Sequence, residues 1–252
     1  ESIKRFVDLC GVSKSNSSVD YAMLEYCIRE DLKVKKPRLM AVLDPVKLII
    51  DNYPEGKTEL LDIPNNLENE ALGSRQVPFG RELYIEREDF MEVPPKKYFR
   101  LFPGNEVRLM NAYFVTCTGF VKDESGRVIE VHCTYDPASR GGNSPDGRKV
   151  KGTIHWAPGE ESITAQVRLY ENIIDEEKGV YNEDGSLNLN PNSLTVLRDC
   201  RLEPAFAGAQ AYDSFQFVRQ GFFCVDSKDS RPDALVFNRI VSLKSSYVLP
   251  KE

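Results

Sequence analysis

The chain has 252 residues, a length that suits one large domain or two small ones. Of these residues 41% are hydrophobic and 29% are charged, a composition typical of a globular protein. No apolar run reaches the ~20 residues of a membrane-spanning helix, which excludes that class. The 39 acidic residues outnumber the 33 basic ones, and the net charge of −6 argues against binding nucleic acid through bulk positive charge. A few local arginines that contact specific bases remain compatible with it.

The first 37 residues are predicted to be helical. The apolar positions at helical spacing are Ile3, Phe6, Val7 and Cys10 in a first helix and Leu24, Cys27, Ile28 and Leu32 in a second. A basic run over 33–36 and then Pro37 end the second helix. Because the chain begins with neither an initiator methionine nor a signal peptide, we expect it to be a piece of a longer protein.

From Leu39 onward, short segments rich in β-branched and aromatic residues predict strands. They cover residues 81–87, 107–118, 128–135, 149–156, 163–170 and 216–225. Turn signals between them are Pro103-Gly104, Glu124-Ser125-Gly126, Asp146-Gly147 and Glu183-Asp184-Gly185. Many short strands joined by turns predict sandwiches or barrels, and about 210 residues of them predict two such units.

The six cysteines predict buried free thiols in a reducing compartment. Cys10, Cys27, Cys117, Cys133, Cys200 and Cys224 show no metal-binding spacing, and most have apolar neighbours. A disulfide framework is therefore not expected, and the cytoplasm is the expected location.

The stretch KYFRLFPGNEVRLMNAY, residues 97–113, predicts a hairpin that turns at Pro103-Gly104. Alternation places Val107 and Leu109 inward and Arg108 outward, and it places Arg100 outward on the other arm. One interpretation is a solvated face with weak surface ion pairs. The other is a planar ligand such as a nucleic-acid base, which a guanidinium contacts through several donors.

A second arginine with two interpretations lies in SFQFVRQGFFCVDS, residues 214–227. Read as one strand, this segment puts Arg219 on the same face as Phe217 and Phe223. These aromatic rings are candidates to stack on bases. The alternative is an arginine whose stem covers apolar surface while its head stays in water.

Residue chemistry alone identifies no catalytic site. Residues 142–152 resemble a phosphate-binding loop, but Arg148 and Lys149 replace the Lys and Ser/Thr, and a strand rather than a helix follows. Arg148, Lys149 and Lys151 are instead expected to form a small basic cluster. His132 and His155 are predicted to be packed or surface residues rather than members of a catalytic pair.

Long collinear blocks nevertheless resemble the C-terminal, anticodon-binding portion of glutaminyl-tRNA synthetases, a family of class I aminoacyl-tRNA synthetases. The blocks are LEYCIREDL, PRLMAVLDPVKLIIDNYPEG, GSRQVPFGRELYIEREDF, RLFPGNEVRLMNAY, CTYDPAS, DGRKVKGTIHW, QVRLYE, FQFVRQGFFCVDS and VFNRIVSL. The resemblance implies a mainly β fold with two six-stranded, ribosomal-protein-like barrels. It assigns residues 1–37 to a helical stem-contact segment, 38–97 and 201–252 to a proximal barrel, and 98–200 to a distal barrel.

The same resemblance implies an anticodon-binding set. Arg38, Gln216 and Arg219 match residues around the central uridine, while Arg100 matches one associated with the third anticodon base and Arg108 one associated with the first. Lys97, where a bacterial relative carries Gln, is also expected to belong to the set. The chain departs from that relative at Lys97, Phe99, Met110 and Val218, so contacts to the first and third bases are expected to differ.

The expected function is that of the tRNA-binding module of a glutamine–tRNA ligase. The partners implied are tRNA for glutamine and the catalytic domain of the same enzyme, in a monomer. The signature sequences of the catalytic domain are absent, so no cofactor is expected in this chain, and ATP and magnesium would act in the missing domain. The alternatives are a stand-alone barrel that binds ribosomal RNA, as a related ribosomal protein does, and a barrel that binds proteins.

Overall fold

The computed structural model describes residues 1–12, 14, 18–144, 146–175, 178–244 and 247. Two helices, α1 (Ser2–Cys10) and α2 (Tyr21–Lys35), precede a chain that is mainly β, as predicted. The strands are β1 (Arg38–Leu39), β2 (Ala41–Val42), β3 (Pro45–Ile50), β4 (Glu59–Pro64), β5 (Ser74–Phe79), β6 (Glu82–Glu86), β7 (Glu106–Leu109), β8 (Phe114–Lys122), β9 (Val128–Asp136), β10 (Gly152–Ile154), β11 (Trp156–Pro158), β12 (Ile163–Tyr170), β13 (Leu194–Leu202), β14 (Ser214–Phe217), β15 (Gly221–Val225) and β16 (Leu235–Ser242).

Within the described residues, the strands form two seven-stranded sheets and one two-stranded sheet. The first sheet has the order β1-β14-β15-β16-β12-β13-β2, the second has the order β10-β7-β8-β9-β3-β6-β11, and β4 pairs with β5. In each large sheet the two edge strands are consecutive in the chain, interrupted by Met40 alone in one and by His155 alone in the other. One segment thus pairs with both edges, which nearly closes each sheet into a barrel. This split edge also explains why each barrel has seven strands instead of the six expected.

The chain divides into two compact units. The first comprises Glu1–Arg38, Gln166–Leu197 and Gln210–Glu252, and the second comprises Leu39–Ala165 and Arg198–Ala209. These units do not follow the expected barrel boundaries, which separated residues 98–200 from 38–97. The reason lies in the second sheet, where β3 pairs in parallel with β9 and so joins the two stretches, with Leu48 opposite Val131.

Within the first unit, α2 is fastened to the end of β16. The Asp20 side chain accepts a hydrogen bond from the backbone N–H of Ala22 at 2.9 Å and starts the helix. Arg29 is buried and donates to the carbonyl oxygens of Ser242 and Lys244 at 2.7 and 3.0 Å. Among the described residues, no helix has the length and apolar character to cross a membrane.

Two of the predicted strands are broken by turns that the alternation pattern did not reveal. Residues 107–118 divide into β7 and β8, because the chain turns at Met110–Ala112 with Asn111 in the left-handed region at φ 56°. Residues 216–225 are a hairpin, not one strand, and the N–H of Gln220 closes its turn on the carbonyl oxygen of Phe217 at 3.0 Å.

In the second unit, two buried carboxylates hold the segment 40–44. Glu86 accepts from the backbone N–H groups of Leu43 and Asp44 at 2.8 and 3.0 Å. Glu203 is bound by the guanidinium of Arg75 and accepts from the N–H of Met40 at 3.2 Å. Since unpaired backbone groups are costly when buried, these contacts fix the path of the segment.

The predictions for histidine are confirmed, and the prediction for cysteine is confirmed for four of the six thiols. His155 is fully buried and its Nε2 lies 2.9 Å from the carbonyl oxygen of Ala41, and His132 lies near the surface with Nδ1 2.9 Å from Asp51. All six cysteines are free thiols, but Cys10 is exposed and Cys224 is half-buried, so the prediction that they are buried is wrong for these two.

Candidate nucleic-acid interface

The first group of expected site residues lies in the first unit, where Arg38 and Gln216 occupy neighbouring strands, β1 and β14. The backbone N–H of Gln216 donates to the carbonyl oxygen of Pro37 at 2.9 Å, which brings the backbone of Arg38 beside Gln216. The side chain of Gln216 is only 6% exposed, and its Oε1 has no hydrogen-bond partner among the described residues. Within the same described part of the chain, half-buried Arg38 makes no hydrogen bond or ion pair.

An amide oxygen that is buried and unpaired calls for an explanation, because leaving a buried acceptor unsatisfied costs about 1–3 kcal/mol. Arg38 supplies donors and Gln216 supplies an acceptor, on two strands that lie next to each other in the first sheet. Together, the two side chains have the chemistry to bind a planar polar group that carries both an N–H donor and a carbonyl acceptor.

Arg219, the third residue of this group, lies in the turn between β14 and β15. Its backbone is in the left-handed region at φ 66°. The strand interpretation put Arg219 beside Phe217 and Phe223 as base-stacking aromatics, and this is wrong. The turn breaks the alternation, and both rings are fully buried and stacked on each other with centroids 4.1 Å apart.

The second group lies in the second unit, and there Arg100 is anchored to carboxylates. Its Nη1 donates to the carbonyl oxygen and Oε1 of Glu88 and lies 3.1 Å from Oδ1 of Asp89, which is fully buried. The arm that carries Arg100 is not a strand, because Leu101 forms only an isolated bridge with Phe90. The predicted hairpin of residues 97–113 is therefore wrong on this side, although the turn after Phe102 is present.

Arg108 has the opposite surroundings. On β7, Val107 and Leu109 are buried and Arg108 points outward, as predicted. Its guanidinium carbon lies 5.1 Å from the centroid of Phe114, and its Nε is buried without a hydrogen-bond partner among the described residues. Gly142 makes room for it, since a Cβ at Gly142 would lie 2.8 Å from Cδ of Arg108.

A second arginine, Arg148, lies over the same ring, 5.0 Å from its centroid. Unlike Arg108, it donates to three carboxylates, those of Glu106, Asp136 and Asp146. These hydrogen bonds raise the pKa of Arg148, and the Ser144 hydroxyl together with Arg148 lowers the pKa of Asp146 to about 2. Arg148 is thus neutralised, and the basic cluster expected beside the turn is reduced to lysines.

Four positions remain to be described: Lys97, which was expected to contact tRNA, and Phe99, Met110 and Val218, where the chain departs from a bacterial relative. Lys97 is exposed, at φ 69°, and forms no ion pair with a described residue. Val218 is 4% exposed and faces the interior, and the carbonyl oxygen of Met110 accepts from Trp156 Nε1 at 3.0 Å. Phe99, in contrast, is 49% exposed.

Comparison with known proteins identifies the family. Two family models match, both described as class I tRNA synthetase (E and Q) anticodon-binding domains, over residues 36–136 and 153–226. The chain belongs to this family.

Full-length similarity extends to curated relatives called glutamine–tRNA ligase. The chain is 54% identical to the one from Clostridium kluyveri over 253 residues, covering 100% of this chain and 45% of the relative. It is 53% identical to that of Clostridium perfringens (99% and 45%) and 51% identical to that of Bradyrhizobium diazoefficiens (97% and 44%). The chain thus spans less than half the length of these relatives.

The sequence pattern did not reveal the aromatic ring of Phe114, which lies under Arg108. Phe114 reads as an ordinary strand residue, and nothing local marks it as the ring shared by Arg108 and Arg148. The only available signal was the glycine at position 142, which follows the strand segment and whose missing Cβ leaves the space that Arg108 fills.

Proposed function

We propose that the chain is the anticodon-binding portion of a glutamine–tRNA ligase and holds the glutamine anticodon while the whole enzyme joins glutamine to the tRNA with ATP. The family match supports a tRNA ligand. The observation that carries the proposal is the unpaired Gln216 amide oxygen beside the unpaired Arg38.

The chemistry of this pair fits a central uridine. Uracil presents one ring N–H between two carbonyl oxygens, so the N–H would donate to Oε1 of Gln216 while a carbonyl accepts from Arg38. Cytosine has no N–H at that ring position, so the amide oxygen would stay unpaired. Arg219, three residues after Gln216, would contact the same nucleotide from the turn.

Arg108, Arg100 and Lys97 have different roles in the proposal. Arg108 would contact the first anticodon base, since its guanidinium is available over Phe114. Arg100 would meet the third base only through its guanidinium edge away from Nη1, which is held by Glu88 and Asp89. Lys97 would contribute a phosphate contact rather than base recognition.

The remaining components belong to the rest of the enzyme. ATP and magnesium would be held by the catalytic domain, and binding of the right anticodon would favour its active arrangement, which is a coupling between distant sites. The six free thiols support the cytoplasm as the location. A monomer remains the expectation.

Titration of this chain with glutamine tRNA and with the same tRNA carrying cytidine at the central anticodon position tests the proposal. We expect at least tenfold weaker binding of the altered tRNA, and loss of most of this preference in Arg219→Ala and Gln216→Ala. Arg81→Ala, which removes an arginine paired with exposed Glu55, serves as a matched control. Equal binding of both tRNAs, with unchanged binding by Arg219→Ala, would contradict the proposal.

The two alternatives predict other outcomes of the same titration. A ribosomal-RNA barrel would bind a ribosomal RNA fragment more tightly than tRNA. A protein-binding barrel would bind no RNA with the steep salt dependence of phosphate contacts. Identity of 54% over the whole chain to a glutamine–tRNA ligase favours the tRNA ligand.

A further inference from the structure

A cleft of about 240 Å³ beside Phe99 is not explained by the contacts above. Its lining includes Phe99, Asn105, Glu106, Lys149, Lys151 and Gly152, all in the second unit. The ring of Phe99 is half exposed, and Nζ of Lys151 lies 5.1 Å from its centroid. An exposed aromatic ring next to a cation is a surface on which a nucleobase can stack.

The position of the Phe99 backbone is fixed by a close approach. A Cβ at Gly152 would lie 1.9 Å from the carbonyl oxygen of Phe99, so only glycine allows the two backbones to touch. Gly152 belongs to β10, which pairs in parallel with β7 and places Gly152 opposite Val107. The backbone of Phe99 therefore packs against strand β10, although its own segment is not a strand.

The charge of the cleft is positive, in a chain whose net charge is −6. Among the residues that the structure describes, Glu106 is the only carboxylate that lines the cleft, and both of its oxygens accept from Arg148, at 2.9 and 3.0 Å. Lys149 and Lys151 are exposed and have no ion pair within the described part of the chain. The arginine near the cleft is thus neutralised while the lysines stay available, which suits phosphate groups.

Resting on the proposed function, we propose that this cleft binds one unpaired nucleotide of the anticodon loop, with its base stacked on Phe99 and its phosphates contacted by Lys149 and Lys151. The lining offers a ring face and point charges rather than a fixed pattern of donors and acceptors. Stacking of this kind tolerates any base. The cleft therefore increases affinity for RNA and leaves the choice between anticodons to other residues.

Binding of glutamine tRNA to Phe99→Ala, Phe99→Trp and wild type, measured by fluorescence anisotropy, tests the inference. We expect Phe99→Ala to weaken binding about tenfold and Phe99→Trp to keep it, since tryptophan preserves stacking. Tyr181→Ala, which removes another exposed aromatic side chain, is the matched control. Melting temperatures would show that each variant is folded.

Two further measurements separate this inference from the proposed function. Phe99→Ala should weaken binding of the cognate tRNA and binding of the central-cytidine tRNA by the same factor. Lys149→Ala and Lys151→Ala should each reduce the slope of log affinity against log salt by about 0.7, as expected for one single-stranded phosphate contact.

If wild type discriminates between the tRNAs but Phe99→Ala binds both as wild type does, the cleft inference is overturned and the proposed function stands. If Phe99→Ala changes the ratio of the affinities for the two tRNAs, the claim that the cleft binds any base equally well is overturned. If wild type does not discriminate yet Phe99→Ala still weakens binding, the proposed function fails and the stacking cleft stands.

Discussion

Arg100 and Arg108 belong to the same unit and both are partly exposed, yet their surroundings are opposite. Arg100 is held through Nη1 by the backbone and carboxylate of Glu88 and by the buried carboxylate of Asp89. Arg108 lies over Phe114 without a hydrogen bond to any described residue, and its Nε is buried. The nearby carboxylates, rather than the direction of the side chain, decide which arginine is available to a ligand.

The difference also shows how an acidic chain can present a cation. Around Phe114, the carboxylates of Glu106, Asp136 and Asp146 all converge on Arg148. Because these carboxylates bind Arg148, Arg108 on the same ring forms no ion pair with any residue that the structure describes. Net charge therefore says little about a site of this size.

The largest expected effect comes from removing the anchored arginine. Arg100→Ala leaves the carboxylate of Asp89 buried without this partner and should lower the free energy of unfolding by about 3 kcal/mol, measured by urea denaturation. Glu88→Gln is the control, because Glu88 is exposed and its loss should cost less than about 1 kcal/mol. Equal stability of Arg100→Ala and wild type would show that the pairing with Asp89 is not structural.

Removing the unanchored arginine should act on binding instead. Arg108→Ala should weaken tRNA binding by about 2 kcal/mol, roughly thirtyfold, because a guanidinium–base contact is lost. Its free energy of unfolding should change by less than about 1 kcal/mol, since only a partly exposed cation–π contact is removed. A large loss of stability with unchanged tRNA affinity would reverse the comparison between the two arginines.

A smaller effect is expected when Arg108 is displaced but kept. Gly142→Ala puts a Cβ 2.8 Å from Cδ of Arg108 at φ 78°, and should cost about 1 kcal/mol of stability and weaken tRNA binding several-fold. Gly126→Ala is the matched control, because Gly126 has φ 82° but no atom within 4 Å of its added Cβ. The control should lose similar stability and keep its affinity, and similar binding by both variants would argue against a role for the position of Arg108.

The smallest effect concerns acid pH and the arginine that is neutralised. The pKa of Asp146 is about 2 in the folded chain, below its ordinary value, so its contribution to stability is present above about pH 4 and is lost as the pH falls toward 2. Arg148 also lowers the pKa of Asp136. The melting temperature of Arg148→Met should therefore lie below that of wild type at neutral pH, and the gap should narrow between pH 4 and pH 2. A gap that stays constant would mean that these ion pairs contribute no stability.

Much of the fold was predictable from local pattern, but the partners of the arginines were not. Alternation in residues 106–109 correctly placed Val107 and Leu109 inside, because a strand with one buried face imposes that period. The turn at Asn111 was missed although asparagine favours turns, because β-branched and aromatic residues on both sides of it predicted one long strand. The turn at residues 218–220 was missed because the alternation of polar and apolar residues continues through it. The Glu106–Arg148 pair joins residues 42 positions apart, so only the tertiary fold reveals it.

The hydrogen bonds between segment 40–44 and the carboxylates of Glu86 and Glu203 have a consequence for the order in which the second unit folds during synthesis. The strands of the second sheet are all present once residue 158 has been made, whereas Glu203, which binds the N–H of Met40 across 163 positions, comes much later. Contacts so distant in sequence form slowly. A growing chain that has reached residue 165 contains every strand of the second sheet, but its segment 40–44 is still without the hydrogen bond to Glu203. The last residues of the unit, once released, would therefore stabilise its first ones.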